Sequence, residues 1–293
     1  HTSALARVAA GLTPAGKLLD QLAGIDFYQF LCDLLVHFDE RAESLIEKLE
    51  VVAKRVFTDD VVLSFTGTQE DLVRMWEAGG TFDLEEGFPG RERELVVPEP
   101  VPQNEAFIVP SDVCYVGAGT NRAAIKAVPF DGTTNIVTRV LSYDYLWNEV
   151  RVKGGAYGAG FKATRTGTVM FYSFRDPNLD HTVEVYNGSG AWLVDFDPSE
   201  AELRGYIISA VGGFDAPLKP RALAQRQDNH YFASLPADYR ARLRAEMLST
   251  TIEDLRARGT ALERLKEHEV VCVFGGKEQI GASDLDLKIT TLY

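Results

Sequence analysis

The feature that most constrains the fold of this chain is a long amphipathic segment that ends on two glycines. Two segments with the residue alternation of β-strands follow it. From about Thr133 to Lys153, apolar residues recur at three- and four-residue spacing, which predicts a helix with one apolar stripe. Gly154 and Gly155 are expected to end it, because glycine accepts the left-handed backbone that often terminates helices. The next two segments show the residue alternation of neighbouring strands: AYGAGFKATR and GTVMFYSFR. A helix layered on such strands is typical of an α+β fold.

Local patterns predict the remaining elements. Residues 26–57 have helical spacing throughout, and strands are expected at VVLSFT, FIVPSDVCYVGAG and, as the last strand, EVVCVFGG. Asp176 followed by Pro177 suits the start of a helix, with the aspartate as its cap. Three pairs have the spacing of a helix capping box: Thr68 with Asp71, Ser199 with Glu202, and Thr251 with Asp254.

A change of composition predicts a domain boundary. The segment 81–104 holds four of the 12 prolines and a dense cluster of charges, with little periodicity. Segments of this kind usually link domains. We therefore expect one domain over residues 1–80, a linker over 81–104 and a second domain over 105–293.

Composition also excludes some classes of partner. The net charge of −13 argues against nucleic acid, whose phosphates require a basic surface, and would favour basic peptides. No run of about 18 apolar residues exists, so no membrane-spanning helix is expected. Cys32, Cys114 and Cys272 lie in apolar contexts, which predicts buried thiols, a reducing compartment and a cytoplasmic location. The first residues have neither an initiator methionine nor a signal peptide, which predicts that the chain begins inside a longer protein.

Familiar motifs for metals, phosphates and nucleophiles are incomplete. In HFDER, His37 and Glu40 have the spacing of an inverted zinc motif, but Arg41 replaces the second histidine and cannot ligate zinc. GAGTNR lacks the third glycine of a dinucleotide-binding loop, and FGGKEQ lacks the upstream glycine of a P-loop and the Ser or Thr after Lys277. No GxSxG nucleophile motif occurs. No metal or cofactor is therefore expected within this chain.

The segment NEVRVKGGAYG remains, and its residues allow two interpretations. Arg151 would lie in the last turn of the helix and Tyr157 at the start of a strand. In the structural interpretation, the arginine faces the helix carbonyls and the tyrosine simply packs. In the functional one, both side chains donate hydrogen bonds to one point, as a peptide carbonyl that becomes an oxyanion requires.

Three longer segments resemble the C-terminal half of the M16 metallopeptidases, closest to the presequence-protease branch of these insulinase-like zinc peptidases. They are YDYLWNEVRVKGGAYG, FYSFRDPNLDHTVEVY and RGYIISAVGGFDAPLKP. The resemblance covers nearly the whole chain, with residues 1 to about 80 similar to the end of the third domain of the family and 105 onward to its fourth. It implies two M16-type (LuxS/MPP-like) domains, the first partial, with a mostly antiparallel sheet and helices on one face.

The resemblance also implies a function. Such peptidases enclose unfolded peptides between two halves, and the N-terminal half holds zinc through HxxEH and a distant glutamate. This chain lacks that motif, so it would be the C-terminal half, partnered by the N-terminal half of the same protein and inactive alone. The family's catalytic arginine and tyrosine correspond to Arg151 and Tyr157, which would hold the substrate carbonyl.

Two other interpretations stay open. The chain could belong to a non-catalytic M16 homologue that binds peptides or a partner subunit without cleaving. It could also be a plain α+β scaffold, in which Arg151 folds onto local carbonyls instead of sharing a cavity with Tyr157.

Overall fold

The structure, a computed structural model, describes residues 1–57, 62–80 and 96–292. The helices are α1 (Thr2–Leu12), α2 (Pro14–Ala23), α3 (Ile25–Val36), α4 (Phe38–Val56), α5 (Gln69–Glu77), α6 (Gly132–Val140), α7 (Leu179–Val194), α8 (Glu200–Phe214), α9 (Pro220–Phe232), α10 (Tyr239–Leu248), α11 (Ile252–Leu262), α12 (Leu265–His268) and α13 (Lys277–Gly281). The strands are β1 (Glu105–Ile108), β2 (Cys114–Asn121), β3 (Gly158–Ala163), β4 (Thr168–Asp176), β5 (Val270–Gly275) and β6 (Lys288–Thr291).

The long helix predicted from about 133 to 153 is present but changes its hydrogen bonding along its length. It begins as α6 and continues with the wider π-helical pattern through Leu141–Tyr145 and Trp147–Lys153. π-Helical turns are rare in α-helices and frequently occur at functional sites. The helix ends at Gly154, as predicted.

The six strands form one mixed sheet in the order β3-β4-β2-β5-β1-β6. The pairs β3–β4, β4–β2 and β2–β5 are antiparallel, whereas β5–β1 and β1–β6 are parallel. The α+β class with a mostly antiparallel sheet is therefore confirmed. The last strand is β6, which the sequence did not predict, because EVVCVFGG corresponds to β5.

Helices cover the two faces of this sheet unequally. On one face, Val116, Phe171 and Val273 belong to a large apolar core that includes residues of α6, α7 and α11. On the opposite face, Ala4 and Val8 of α1 join a smaller core with strand residues. The prediction that helices pack on one face of the sheet therefore holds for most of the helices that contribute to these cores, but α1 packs on the opposite face.

An ionic network ties α1 to the sheet. Arg7 donates from Nη1 to Asp20 and Asp26 at 2.6 and 2.7 Å, and from Nε and Nη2 to Glu105 at 2.5 and 3.0 Å. Burial alone would lower the pKa of Arg7, but the bonds to Glu105 and Asp26 outweigh it and raise the pKa. Burial would likewise raise the pKa of Asp26, and the bonds from Lys17 and Arg7 lower it instead. Arg7 and Asp26 are therefore held in their charged forms by each other and by their shared neighbours.

Contacts divide the described residues into two compact units. One comprises His1–Gln29, Val97–Asp215 and Arg240–Tyr293, and it contains the sheet. The other comprises Phe30–Val96 and Ala216–Tyr239; within it Ser64 Oγ donates to Asp228 Oδ1 at 2.6 Å. The predicted domains, 1–80 and 105–293 with a linker between them, stay a prediction. Residues 81–95 of that linker lie outside the described residues.

Helix caps were the most accurately predicted local features. All three capping boxes are present, with both reciprocal hydrogen bonds in each: Thr68–Asp71, Ser199–Glu202 and Thr251–Asp254. The predicted cap at Asp176 is wrong, because Asp176 ends β4 and α7 begins at Leu179. The strand predicted at VVLSFT is wrong over its described residues 62–66, which belong to no strand.

The cysteines differ from one another in burial. Cys114 and Cys272 are buried as predicted, and burial raises the pKa of Cys114 to about 11. Cys32 is exposed, which contradicts the prediction, because α3 buries only its first residue, Ile25. Among the described helices, none is long and apolar enough to cross a membrane.

Two glycines allow α7 and α11 to approach closely. A Cβ added at Gly190 would lie 2.3 Å from Glu263 N, and one at Gly259 would lie 2.8 Å from Gly190 O. Both clashes are with backbone, which cannot move aside as a side-chain end can. Helix–helix contact, and not backbone conformation, therefore requires glycine at these positions.

We predict that Gly190→Ala destabilises the protein by roughly 1–3 kcal/mol, as overpacking of a close contact does. The matched control is Gly205→Ala in α8, where an added Cβ has no atom within 4 Å. There alanine should stabilise the helix by up to about 1 kcal/mol. Urea unfolding of both variants measures the difference, and equal effects of the two substitutions would contradict the packing argument.

Candidate active site

The glycine turn after the long helix brings the helix end next to the start of β3. Gly155 has φ of +81°, a left-handed conformation that glycine adopts without strain. Ala156, which is buried, donates its backbone N–H to Val150 O at 3.2 Å and so continues the capping of the helix. The chain thus reverses within three residues and places Tyr157 beside the last turn of the helix.

Further back, the helix is anchored to the core by Tyr145. Its hydroxyl donates to Val185 O of α7 at 2.8 Å, and its ring packs against Trp192. Burial raises the pKa of Tyr145 to about 12, with a smaller contribution from the charge of Glu149. Tyr145 is therefore a neutral structural donor that fixes the helix ahead of Arg151.

The Arg151 side chain is held in place by two contacts. Its Nε donates to Tyr157 O at 3.0 Å, and its guanidinium carbon lies 3.9 Å from the centroid of the Trp147 ring. In the described part of the chain, no acceptor pairs with the two terminal nitrogens of this side chain. The guanidinium is thus oriented but keeps most of its donors for another group.

Tyr157 is an exposed tyrosine held by backbone hydrogen bonds. Its backbone nitrogen lies 3.2 Å from Phe174 O and 3.3 Å from Arg175 O, so its N–H donates to both carbonyl oxygens. Its ring packs against Phe174 at 5.6 Å between centroids, and 63% of the residue remains exposed. The ring is therefore supported on one side while the residue stays accessible to solvent.

Arg175, which the local sequence motifs do not indicate, lies next to this pair. In β4, Phe174 pairs with Tyr115 and Asp176 with Cys114, so Arg175 is the extra residue of a β-bulge. Its φ is +51°, a left-handed conformation that costs a non-glycine residue about 1–2 kcal/mol. Its guanidinium carbon lies 5.9 Å from the Tyr157 ring centroid. The position of Arg175 beside Tyr157 follows from the register of β4 against β2, which cannot be determined from local sequence.

The three residues after Arg175 support the glycine turn. Asp176 is fully buried and accepts from Thr182 Oγ1 at 2.7 Å and from Asn178 N at 2.9 Å. Asn178 Nδ2 donates in turn to Gly154 O at 2.5 Å. The segment RDPN therefore packs against KGGAY, which explains why both segments are part of one site.

Arg151, Tyr157 and Arg175 line one open surface groove of about 490 Å³, together with Val152, Gly155 and Ala156. The two residues selected from the sequence thus lie on a shared groove, as the functional interpretation requires. The bond from Arg151 to a local carbonyl is the mark of the scaffold interpretation, and it is also present. Their catalytic role stays a prediction.

The described residues do not form a zinc site. No group of three or more His, Cys, Asp or Glu side chains among them could hold a metal ion. His37, which lies between α3 and α4, contacts Asp33 of α3 and has no second histidine nearby in sequence. The residues that the structure describes therefore do not fit zinc.

The family model of the PreP C-terminal domain matches residues 104–275, which include the sheet from β1 to β5 and the whole groove. The chain belongs to the PreP C-terminal domain family. The resemblance to the C-terminal half of presequence-protease-type M16 peptidases is therefore confirmed.

Similar proteins match almost the whole chain. Protein HypA from Clostridium perfringens is 26% identical over 281 residues, which are 96% of this chain and 29% of HypA. Presequence protease 1, chloroplastic/mitochondrial, from Arabidopsis thaliana is 28% identical over 288 residues, or 97% of this chain and 26% of that protein. The chain spans little more than a quarter of the length of these relatives.

A solved structure shares the fold. The crystal structure of a peptidase M16 inactive domain from Pseudomonas fluorescens has a TM-score of 0.51 and 16% identity, and the match covers 72% of this chain and 52% of that one. At this identity the likeness concerns the fold alone.

Proposed function

We propose that this PreP-type domain is the C-terminal, substrate-binding half of a zinc metalloendopeptidase that hydrolyses unfolded peptides in a closed chamber. One observation carries the proposal: Arg151 and Tyr157 line the same groove, and among the described residues neither the terminal nitrogens of Arg151 nor the Tyr157 hydroxyl has a hydrogen-bond partner. Family membership supports it, since relatives that match nearly the whole chain include proteins named presequence protease.

In this proposal, the two side chains hold the carbonyl oxygen of the scissile peptide bond. Arg151 supplies a permanent positive charge and N–H donors, and its contact with Trp147 fixes its direction. Tyr157 supplies a hydroxyl donor. Both interactions strengthen as the carbonyl oxygen gains negative charge, so they lower the barrier more than they tighten ground-state binding.

The metal would belong to another part of the longer protein. Zinc bound by the N-terminal half would supply the activated water for attack on the peptide bond. This chain would orient the peptide and stabilise charge on its carbonyl oxygen. The predicted cytoplasmic location stays a prediction, and the names of the presequence protease relatives refer to mitochondria and chloroplasts.

We predict that the full-length protein cleaves unfolded peptides and that a chelator abolishes this cleavage. The 293-residue chain alone, with added zinc, should show no cleavage, because its described residues offer no metal site. Peptide hydrolysis followed by mass spectrometry measures both.

Cleavage by the isolated chain would contradict the assignment of the metal to the other half. A full-length protein that binds peptides without cleaving them would instead establish the non-catalytic homologue. The sequence upstream of His1 offers an independent check, since the proposal requires HxxEH and a distal glutamate there.

A further inference from the structure

Arg175 lies in the groove without an ionic partner. It is exposed, and in the described ranges no carboxylate pairs with its guanidinium. The acid next to it in sequence, Asp176, is buried and already bonded to Thr182 and Asn178. Glu149, on the nearby helix end, pairs with Lys153 at 2.7 Å. The charge of Arg175 is therefore not neutralised by the fold.

The backbone at this position does not require an arginine. The bulge places residue 175 in the left-handed region, where glycine would be unstrained and a branched or long side chain is disfavoured. The guanidinium carbon lies over the Tyr157 ring, 5.9 Å from its centroid, and Arg175 lines the groove beside it. A strained residue that the fold does not need is commonly found where a side chain must be aimed at a ligand.

The groove has a local charge opposite to that of the chain. Its lining includes two arginines, Arg151 and Arg175, and no acidic residue, although the net charge of the chain is −13. Two guanidinium groups on one small groove attract an anion, and arginine pairs best with the planar carboxylate. The preference for basic peptides expected from net charge therefore does not describe this groove.

We propose that Arg175 is a specificity-determining residue that binds a carboxylate of the peptide substrate, next to the bond held by Arg151 and Tyr157. This rests on the proposed function, because it takes the groove to be the peptide-binding site. The carboxylate is either an Asp or Glu side chain or the C-terminus of the peptide. A charge-assisted hydrogen bond of this kind should favour the acidic peptide about tenfold over its amide.

The test uses the full-length protein and two pairs of peptides. One pair carries glutamate or glutamine beside the cleaved bond, and the other ends in a free carboxylate or an amide. We measure kcat/KM for each, and the dissociation constant with chelated protein. We expect about a tenfold preference for the carboxylate in at least one pair, and R175Q should reduce that ratio to about one. The pair that shows the effect identifies the source of the carboxylate.

Two further variants separate recognition from structure. R165Q removes an exposed arginine from the β3–β4 turn, away from the groove lining, and should keep the tenfold ratio. R175G relieves the left-handed strain, so its melting temperature should not fall while the ratio is lost. A fall in melting temperature in both R175Q and R175G, with the ratio kept, would make Arg175 structural and overturn the proposal.

The outcomes for the two proposals are distinct. Cleavage without a carboxylate preference in either pair would overturn the role of Arg175 and leave the proposed function intact. The protein could instead cleave no peptide but bind the carboxylate peptide more tightly, and lose this preference in R175Q. That result would support this inference and overturn the catalytic function.

Discussion

Replacing Tyr157 with phenylalanine in the full-length protein should lower kcat about 10²–10³-fold, the usual cost of removing one donor to an oxyanion. The substitution keeps the ring that packs against Phe174 and removes only the hydroxyl. Zinc content and melting temperature should therefore not change. Steady-state hydrolysis of one unfolded peptide, with metal analysis of the same samples, measures the effect.

The matched control is Tyr143→Phe, which removes the hydroxyl of another exposed tyrosine that does not line the groove. Its kcat should equal that of the wild type. Arg151→Ala should lower turnover as well, and by at least as much, because it removes a charge and also the bond to Tyr157 O. If Tyr157→Phe cleaves normally, or if either groove variant loses zinc, the assigned roles are wrong.

Replacing Arg7 with methionine should destabilise the protein by about 3–5 kcal/mol, the typical cost of breaking a buried ionic group by removing one partner. Asp20 and Glu105 are 2% and 7% exposed, and Arg7 is their shared cation. Without it, two carboxylates remain buried and close to each other, and Lys17 pairs with Asp26 and not with either of them in the described part of the chain. Urea unfolding monitored by circular dichroism measures the loss.

Arg204→Met is the control for this experiment. Arg204 forms an exposed pair with Glu200 on one helix, and its side chain is 65% exposed. Exposed ion pairs of this kind contribute about 0–1 kcal/mol to the free energy of unfolding, so the urea concentration at the unfolding midpoint should hardly change. A comparable loss in the two variants would mean that the Arg7 network does not hold α1 on the sheet.

The sequence predicted features that depend on neighbouring residues and missed those that depend on distant ones. The capping boxes and the helix end at Gly154 involve residues three or four apart, so their patterns are complete in the local sequence. The alternation in VVLSFT predicted a strand, but a strand also needs a partner, and described residues 62–66 have none.

The residues of the candidate site also differ in whether local sequence or distant contacts determine their position. Arg151 and Tyr157 were selected from one short segment and a family resemblance, and the structure brings them to one groove. Arg175 lies in the resembling segment too, but its place in the groove results from the pairing of β4 with β2 across more than 50 residues. The position of α1 on the opposite face depends on Arg7 and on Glu105, 98 residues away.

The decisive measurement is the structure of the chelated full-length protein with an uncleaved peptide bound. If the groove is where an amide is held for hydrolysis, one peptide carbonyl oxygen will lie about 3 Å from both the Tyr157 hydroxyl and a terminal nitrogen of Arg151. A peptide bound with its scissile carbonyl in contact with neither side chain would contradict the account.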